Sequence, residues 1–293
     1  MLQFSVLGSG SGGNSAVART EQSCVLIDAG LSAKQLVLRL EKIGVDPDEI
    51  DGILLTHEHG DHTRGMDVFL RQREIPVYCN VRTREVLARG DLRSKIEWKL
   101  FDSGDAFEIG DLGIQSFYVP HDAVEPMGYV VRNGQGALGV LSDVGHVTNL
   151  ARDHLQGIDT LYVEANYDEV MLQNDVKRPW STKQRISSRH GHLSNTQAAE
   201  LVVAVAHSNL HRIVLGHLSG DCNSPEVAER TVRQQLLAAG VDHVDVCCAM
   251  QNEVLPLAPV VSARRPAWKP VGADKKRAEV IPEKTHQLSL FDF

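Results

Sequence analysis

The stretch Gly52-Ile53-Leu54-Leu55-Thr56-His57-Glu58-His59-Gly60-Asp61-His62 decides how this chain is read. Its first part is a short apolar run and predicts a buried strand. Its second part puts His57, His59, Asp61 and His62 within six residues. The cluster therefore falls in the loop where a strand ends, a place where reactive groups sit on a rigid scaffold. Neutral imidazole suits zinc, manganese and iron, and a carboxylate widens the choice toward manganese. The plain alternative, a polar His-rich turn, gives no reason for so many ligand atoms on one loop.

Around this stretch, the chain has 293 residues, enough for one large or two small domains, and 42% of them are hydrophobic, as in an ordinary globular protein. No apolar run approaches the ~20 residues that span a bilayer, so no membrane association is expected. Met1-Leu2-Gln3-Phe4 lacks the basic and apolar regions of a signal peptide and starts a strand instead. The cysteines, Cys24, Cys79, Cys222, Cys247 and Cys248, are odd in number and form no CxxC pair. That pattern suits a reducing compartment, and the expected location is the cytoplasm. A net charge of -8 argues against a surface that is basic all over. It does not exclude nucleic acid, because divalent cations and a local basic patch can hold phosphate on an acidic protein.

Strands are predicted at Phe4-Ser5-Val6-Leu7, Val25-Leu26-Ile27 and Ile53-Leu54-Leu55. Further strands are predicted around Val77, over 114–119, 129–131, 138–141 and 161–163, and at Ile213-Val214-Leu215. Leu36, Leu40 and Ile43 recur at helical spacing, and Gly44 stops that helix. Ser194 with Gln197 reads as a capping box ahead of a helix over 198–206, and Ser224-Pro225 as an N-cap followed by Pro at the first helical position. Strands and helices interleave, so the class is α/β. From about residue 261 the composition turns basic and poor in apolar residues, which predicts a catalytic domain over 1–260 and a flexible basic linker over 261–286.

Four more polar residues each follow an apolar strand: Asp28, His121, Asp143 and His217. Singly, each reads as an ordinary loop residue. As an ordered set with His57, His59, Asp61 and His62, they resemble the five motifs of the metallo-β-lactamase fold, over about residues 1–258. The resemblance implies an αββα four-layer sandwich with a dinuclear metal site at one edge, holding two divalent ions, Zn2+ or Mn2+. It implies that His57, His59 and His121 hold one ion, that Asp61, His62 and His217 hold the other, that Asp143 bridges them, and that Asp28 orients the cluster from behind. Two such ions about 3.5–4 Å apart lower the pKa of a bridging water from about 15.7 toward roughly 7, giving hydroxide at neutral pH. Asp61 counts with the catalytic groups on this reading.

Three features point to phosphodiesters. Glu164-Ala165-Asn166 and Gly191-His192-Leu193-Ser194 resemble paired motifs of the nuclease branch of the fold, which implies that Glu164 orients His192 as general acid; the plain alternative for His192 is a residue beside a helix cap. The run Gly8–Ser15, with Ser9, Ser11 and Asn14, reads as a loop whose amides and hydroxyls cradle phosphate, or else as a turn. Lys177, Arg178, Lys183, Arg185 and Arg189, just before His192, read as a track for a nucleic-acid backbone or as a solvated face.

The strings Leu7–Ser15, His57–His62, Pro120–Ala123, Ser142–Gly145, Glu164–Asn166 and Gly191–Asn195 together resemble the YycJ/WalJ group of bacterial metallo-β-lactamase-fold proteins. That resemblance implies 5′→3′ exonuclease action on DNA in mismatch repair. Tyr167 stands where that group commonly has His, and there is no insertion of the size of a β-CASP domain. The last residues, 287–293, with Gln287, Leu288, Leu290 and Phe291, look like the peptide by which bacterial polymerase partners enter the DNA sliding clamp. A tether ending in such a peptide raises the enzyme's effective concentration on DNA. The competing readings are an RNA-processing nuclease, a small-molecule (thio)ester hydrolase of the same fold, and a clamp-binding adaptor without activity. The clamp-like tail argues against the first, the Glu164/His192 pair against the second, and the complete ligand set against the third.

Overall fold

Along the strand of the deciding stretch, Ile53 and Leu54 point into different cores. Successive side chains of a strand face opposite ways, so an uninterrupted apolar run means that both faces of the sheet are covered. The computed structural model, which describes residues 1–90 and 92–260, shows this arrangement twice. The strands are β1 (Gln3–Gly8), β2 (Ser15–Arg19), β3 (Cys24–Ile27), β4 (Gly52–Leu54), β5 (Val77–Asn80), β6 (Trp98–Phe101), β7 (Ala106–Ile109), β8 (Leu112–Tyr118), β9 (Met127–Asn133), β10 (Gly136–Leu141), β11 (Thr160–Glu164), β12 (Arg212–Gly216), β13 (Asp245–Cys248) and β14 (Ala258–Pro259). They form two sheets, ordered β14-β1-β2-β3-β4-β5-β6 and β13-β12-β11-β10-β9-β8-β7. In each sheet an antiparallel half passes into a parallel half, at β3/β4 in the first and β10/β11 in the second.

Between the sheets lies one core, which includes Phe4, Leu54, Tyr129, Leu138 and Val214. Outside the first sheet, the helix Ala33–Lys42 packs Leu36 and Leu40 onto Leu26 and Ile53. Outside the second, the helices Asn195–Val205 and Pro225–Ala238 pack Leu201, Val202 and Leu236 onto Leu161, Val163 and Ile213. The order of layers is thus helix, sheet, sheet, helix, the expected αββα sandwich.

The helix ends obey the local chemistry read from sequence. Ser194 Oγ accepts from Gln197 N at 3.2 Å while Gln197 Oε1 accepts from Ser194 N at 2.9 Å, and Gly44 turns left-handed (φ +72°) after the Ala33–Lys42 helix. Strands β2, β6, β7, β13 and β14 carry weaker apolar signals. Strand β7, at a sheet edge, alternates exposed Ala106 and Glu108 with half-buried Phe107 and buried Ile109, and β13 begins with an exposed Asp245. The histidine stretch is also more structured than a loop: Gly60–Thr63 forms a helical turn that carries Asp61 and His62. The expected linker (261–286) and the clamp-like peptide with Gln287, Leu288, Leu290 and Phe291 lie outside the described residues.

Candidate metal centre

The candidate ligands stand at or just beyond the C-terminal ends of strands, with Asp61 and His62 on the helical turn that follows β4, and all on one edge of the sandwich. Asp28 follows β3, His57 and His59 follow β4, His121 follows β8, Asp143 follows β10 and His217 follows β12. Strand pairing sets them side by side: Leu141 is level with Val163, and Glu164 with Gly216. Among the described residues, the non-glycine positions with positive φ are Asp28 (58°), Asp143 (52°) and His217 (52°). A left-handed backbone is costly for a residue with a Cβ and persists where surrounding structure enforces it, characteristically at functional sites. Each of these turns swings its side chain off the strand end toward the others.

His57, His59 and His121 present ring nitrogens within 4.8 Å of one another. His121 donates Nδ1–H to Gly191 O at 2.8 Å, which leaves Nε2 for the cluster. His57 is fully buried, and Thr56 Oγ1, 3.0 Å away, takes its Nδ1–H. Among the described residues its Nε2 has no hydrogen-bond partner. Burial, with the neighbouring His62, keeps the proton affinity of His57 well below the ordinary imidazole range, and burial lowers that of His121. Both rings are therefore held neutral, the form that ligates.

Asp143 is the hub. One oxygen lies 2.9 Å from His62 Nε2 and the other 2.7 Å from His217 Nδ1. The second oxygen also lies 3.9 Å from His121 Nε2 and 3.6 Å from His192 Nδ1. Asp61 Oδ2 stands 3.6 Å from the Nε2 atoms of both His62 and His217. Burial opposes charge on His62, yet Asp143 and Asp28 outweigh it and lift its proton affinity to about 10. Carboxylates that draw protons onto imidazoles in this way call for cations at the ring nitrogens. His217 Nδ1 has two carboxylate oxygens in reach, Asp143 at 2.7 Å and Glu164 at 3.1 Å, but among the described residues no hydrogen bond of proper angle. This donor set and its unpaired buried nitrogens, at His57 and His217, fit divalent metal ions. Behind the cluster, Asp28 takes His62 Nδ1–H at 2.8 Å with one oxygen, which also accepts from Thr56 Oγ1 at 2.8 Å. The other accepts from Thr56 N at 2.8 Å. A carboxylate on the far nitrogen of a ligating histidine fixes its tautomer and raises its basicity.

Beside the cluster, Glu164 Oε1 lies 2.6 Å from His192 Nδ1. Its Oε2 accepts from Val144 N at 2.9 Å and Leu193 N at 3.2 Å. Burial works against the charged carboxylate, but His192, and after it His217, hold its pKa down to about 2. His192 is itself lifted above its ordinary value: burial opposes the proton, and Glu164 overcomes it.

The structure corrects the glycine-loop expectation. Ser9 is buried, accepts from His217 N at 2.7 Å and lies 2.8 Å from the Tyr162 hydroxyl. Asn14 is buried too; its Oδ1 accepts from Gly10 N at 2.8 Å and its amide donates to Asp61 Oδ2 at 3.3 Å. The amides of Gly12, Gly13 and Asn14 go to Gln251 Oε1, Gly10 O and Asp61 O. These donors are spent within the protein, so they brace the centre and are not open to phosphate; Ser11 and Gly12 face solvent. The glycines serve close packing, since a Cβ on Gly13 would lie 2.5 Å from Gly30 O and one on Gly30 would lie 1.6 Å from Asp61 O.

The basic residues are also partly engaged. Arg178 pairs with Asp175 at 2.8 Å and Asp221 at 3.0 Å, which corrects its reading as an open phosphate contact. Arg185 Nε donates to Asp122 Oδ2 at 2.7 Å, and Arg189 Nη2 lies 3.0 Å from His146 Nε2. Sequence reading passed over Thr56, Asp122, Tyr162, Asn166 (Nδ2 to His217 O at 2.8 Å) and Gln251 as supports of the site. The signal for Asn166 lay in its place two residues after Glu164.

Comparison with known proteins agrees with this geometry. The model of the β-lactamase superfamily domain matches residues 24–218. The exodeoxyribonuclease YycJ of Bacillus anthracis is 36% identical over 241 residues, 82% of this chain and 90% of its own. The exodeoxyribonuclease WalJ of Streptococcus pneumoniae strain D39 is 36% identical over 248 residues, 82% of this chain and 92% of its own. The Zn(2+)-bound PqqB of Methylobacterium extorquens superposes with a TM-score of 0.66 over 87% of this chain and 100% of its own, at 17% identity. The chain belongs to the metallo-β-lactamase superfamily and, within it, to the group of the YycJ and WalJ exodeoxyribonucleases.

Proposed function

We propose that the protein is a metal-dependent phosphodiesterase that removes nucleotides from the 5′ end of DNA. The observation that carries this reading is the Glu164–His192 pair, 2.6 Å apart, set against the metal centre in a chain whose relatives act as exodeoxyribonucleases. Two divalent ions, zinc or manganese, are the proposed complement: one on His57, His59 and His121, one on Asp61, His62 and His217, with Asp143 between. When bound, they supply Lewis acidity, so that a nearby water ionises near neutral pH and the charge on phosphate oxygens is neutralised.

The chain's own residues do the rest. Glu164, buried and ionised, holds the imidazolium of His192 with one N–H toward itself and the other free for the mouth of the site. That second proton goes to the departing oxygen as the phosphodiester breaks. Hydrolysis of a thioester has no need of such a donor. Asp28 and Thr56 keep His62 and His57 in the ligating tautomer, and Gly191 O does the same for His121. Ser11, Arg185 and Arg189 are proposed strand contacts at the rim. We further propose that the catalytic domain ends near residue 260, and that 261–286 tether a clamp-binding peptide, 287–293, which brings the enzyme to newly made DNA in the cytoplasm.

His192→Ala tests the central role. It should keep its metal, measured by elemental analysis, and cleave DNA ~10²–10⁴ more slowly. Native rates from a metal-loaded His192→Ala protein would remove His192 from the mechanism.

A further inference from the structure

The helix Trp180–Ile186 has no buried residue. Trp180, at its first position, is 67% exposed, and Val176, in the approach to it, is 95% exposed. Pro179 stands as the N-cap with φ -63°, and a proline ring makes that approach rigid. The indole is thus presented to water on a stiff support.

The surroundings are cationic. From 176 to 192 the chain holds Lys177, Arg178, Lys183, Arg185 and Arg189 and no Asp or Glu, although its net charge is -8. Asp122, Asp175 and Asp221 meet three of these cations. Among the described residues, Lys183 bonds a backbone carbonyl, Gln173 O, and Arg189 bonds His146, neither of them a carboxylate, so positive charge is left over for a ligand.

The position is set by the far end of the same helix. Arg185 bonds Asp122, whose Oδ1 lies 3.1 Å from His121 Nε2, and His192 N donates to Ile186 O at 2.8 Å. Trp180 stands five residues before Arg185, roughly 8 Å along the helix axis. The helix therefore leads from the metal centre and the general acid out to the exposed indole, with cations beside it.

We propose that Trp180 is a stacking platform for a base of the single strand whose end lies at the metal centre, with Lys183 and Arg189 meeting its phosphates. This rests on the nuclease reading above. Stacking on an aromatic face tolerates every base, as an exonuclease that must pass through any sequence requires, and cations that track the backbone supply the rest of the affinity.

The test compares KM for a single-stranded DNA oligonucleotide with KM for an abasic strand of equal length, using the metal-loaded full chain. The abasic strand keeps the phosphate charge and loses the stacking partner. The native protein should prefer the base-bearing strand roughly 5- to 150-fold. Trp180→Ala should lose that preference and match the native protein on the abasic strand, and Trp180→Phe should keep most of it. A Trp180→Ala protein that prefers bases as strongly as the native one, or that weakens on both strands alike, overturns the inference and leaves the nuclease reading standing; the first of these outcomes points to a protein partner for the exposed indole. A native protein that cleaves neither strand overturns both.

Discussion

Asp28 Oδ2 lies 2.8 Å from His62 Nδ1, and the nitrogen on the other side of the same ring lies 2.9 Å from Asp143 Oδ2. One buried imidazole is gripped between a carboxylate behind the metal centre and one at its middle. Asp28 therefore sets the tautomer and aim of a ligand it does not replace, and it does so from a left-handed backbone (φ 58°).

Asp28→Asn should weaken metal binding about 10–100-fold, the usual loss when such a supporting carboxylate goes. Asn tolerates the left-handed region as Asp does, so the variant removes charge and leaves the turn. Metal affinity by competition with a chelating dye checks this, and native affinity would show that His62 is aimed without Asp28.

Glu164→Gln should move the alkaline limb of the pH–rate profile to lower pH. Burial disfavours the proton on His192 and Glu164 more than restores it, so the ring holds its proton to higher pH than an ordinary histidine. A general acid works only while protonated; activity is full below its pKa and falls as pH rises through it. Without the Glu164 charge the fall comes earlier. A profile of kcat/KM against pH for both proteins reads the shift, and superimposable limbs would break the link.

Gly30→Ala should cost roughly 1–3 kcal/mol of stability through overpacking, because its Cβ would meet Asp61 O. Gly134→Ala, with nothing within 4 Å of the added Cβ, is the matched control and should be near neutral. Urea unfolding midpoints at unchanged slope compare the two. Equal midpoints would mean that the chain around Gly30 yields freely.

How much of this was legible follows from where each signal lives. Asp28, Asp143 and His217 could be found because each ends a run of apolar residues buried on both faces, a pattern local to a few residues. The glycine loop misled because a Gly/Ser run looks the same whether its amides await phosphate or are spent on Gln251 and Asp61, residues far away in sequence. Arg178 misled likewise, since one partner, Asp221, lies 43 residues on. Strands β7 and β13 escaped notice because their half-exposed edges carry polar residues where a central strand carries Val or Leu.

Deleting 287–293 should leave cleavage of free linear DNA unchanged and abolish binding to an immobilised sliding clamp, because the peptide acts as an address and not in the chemistry. Clamp affinity that survives the deletion would refute the tether.

Metal dependence, substrate and polarity are read together by stripping the protein of metal and offering it DNA and RNA strands labelled at either end, with manganese, zinc or magnesium restored in turn. The expected result is no cleavage without metal and, with manganese or zinc, stepwise loss of nucleotides from the 5′ end of DNA. A protein with two ions bound that leaves every strand intact would not be a nuclease.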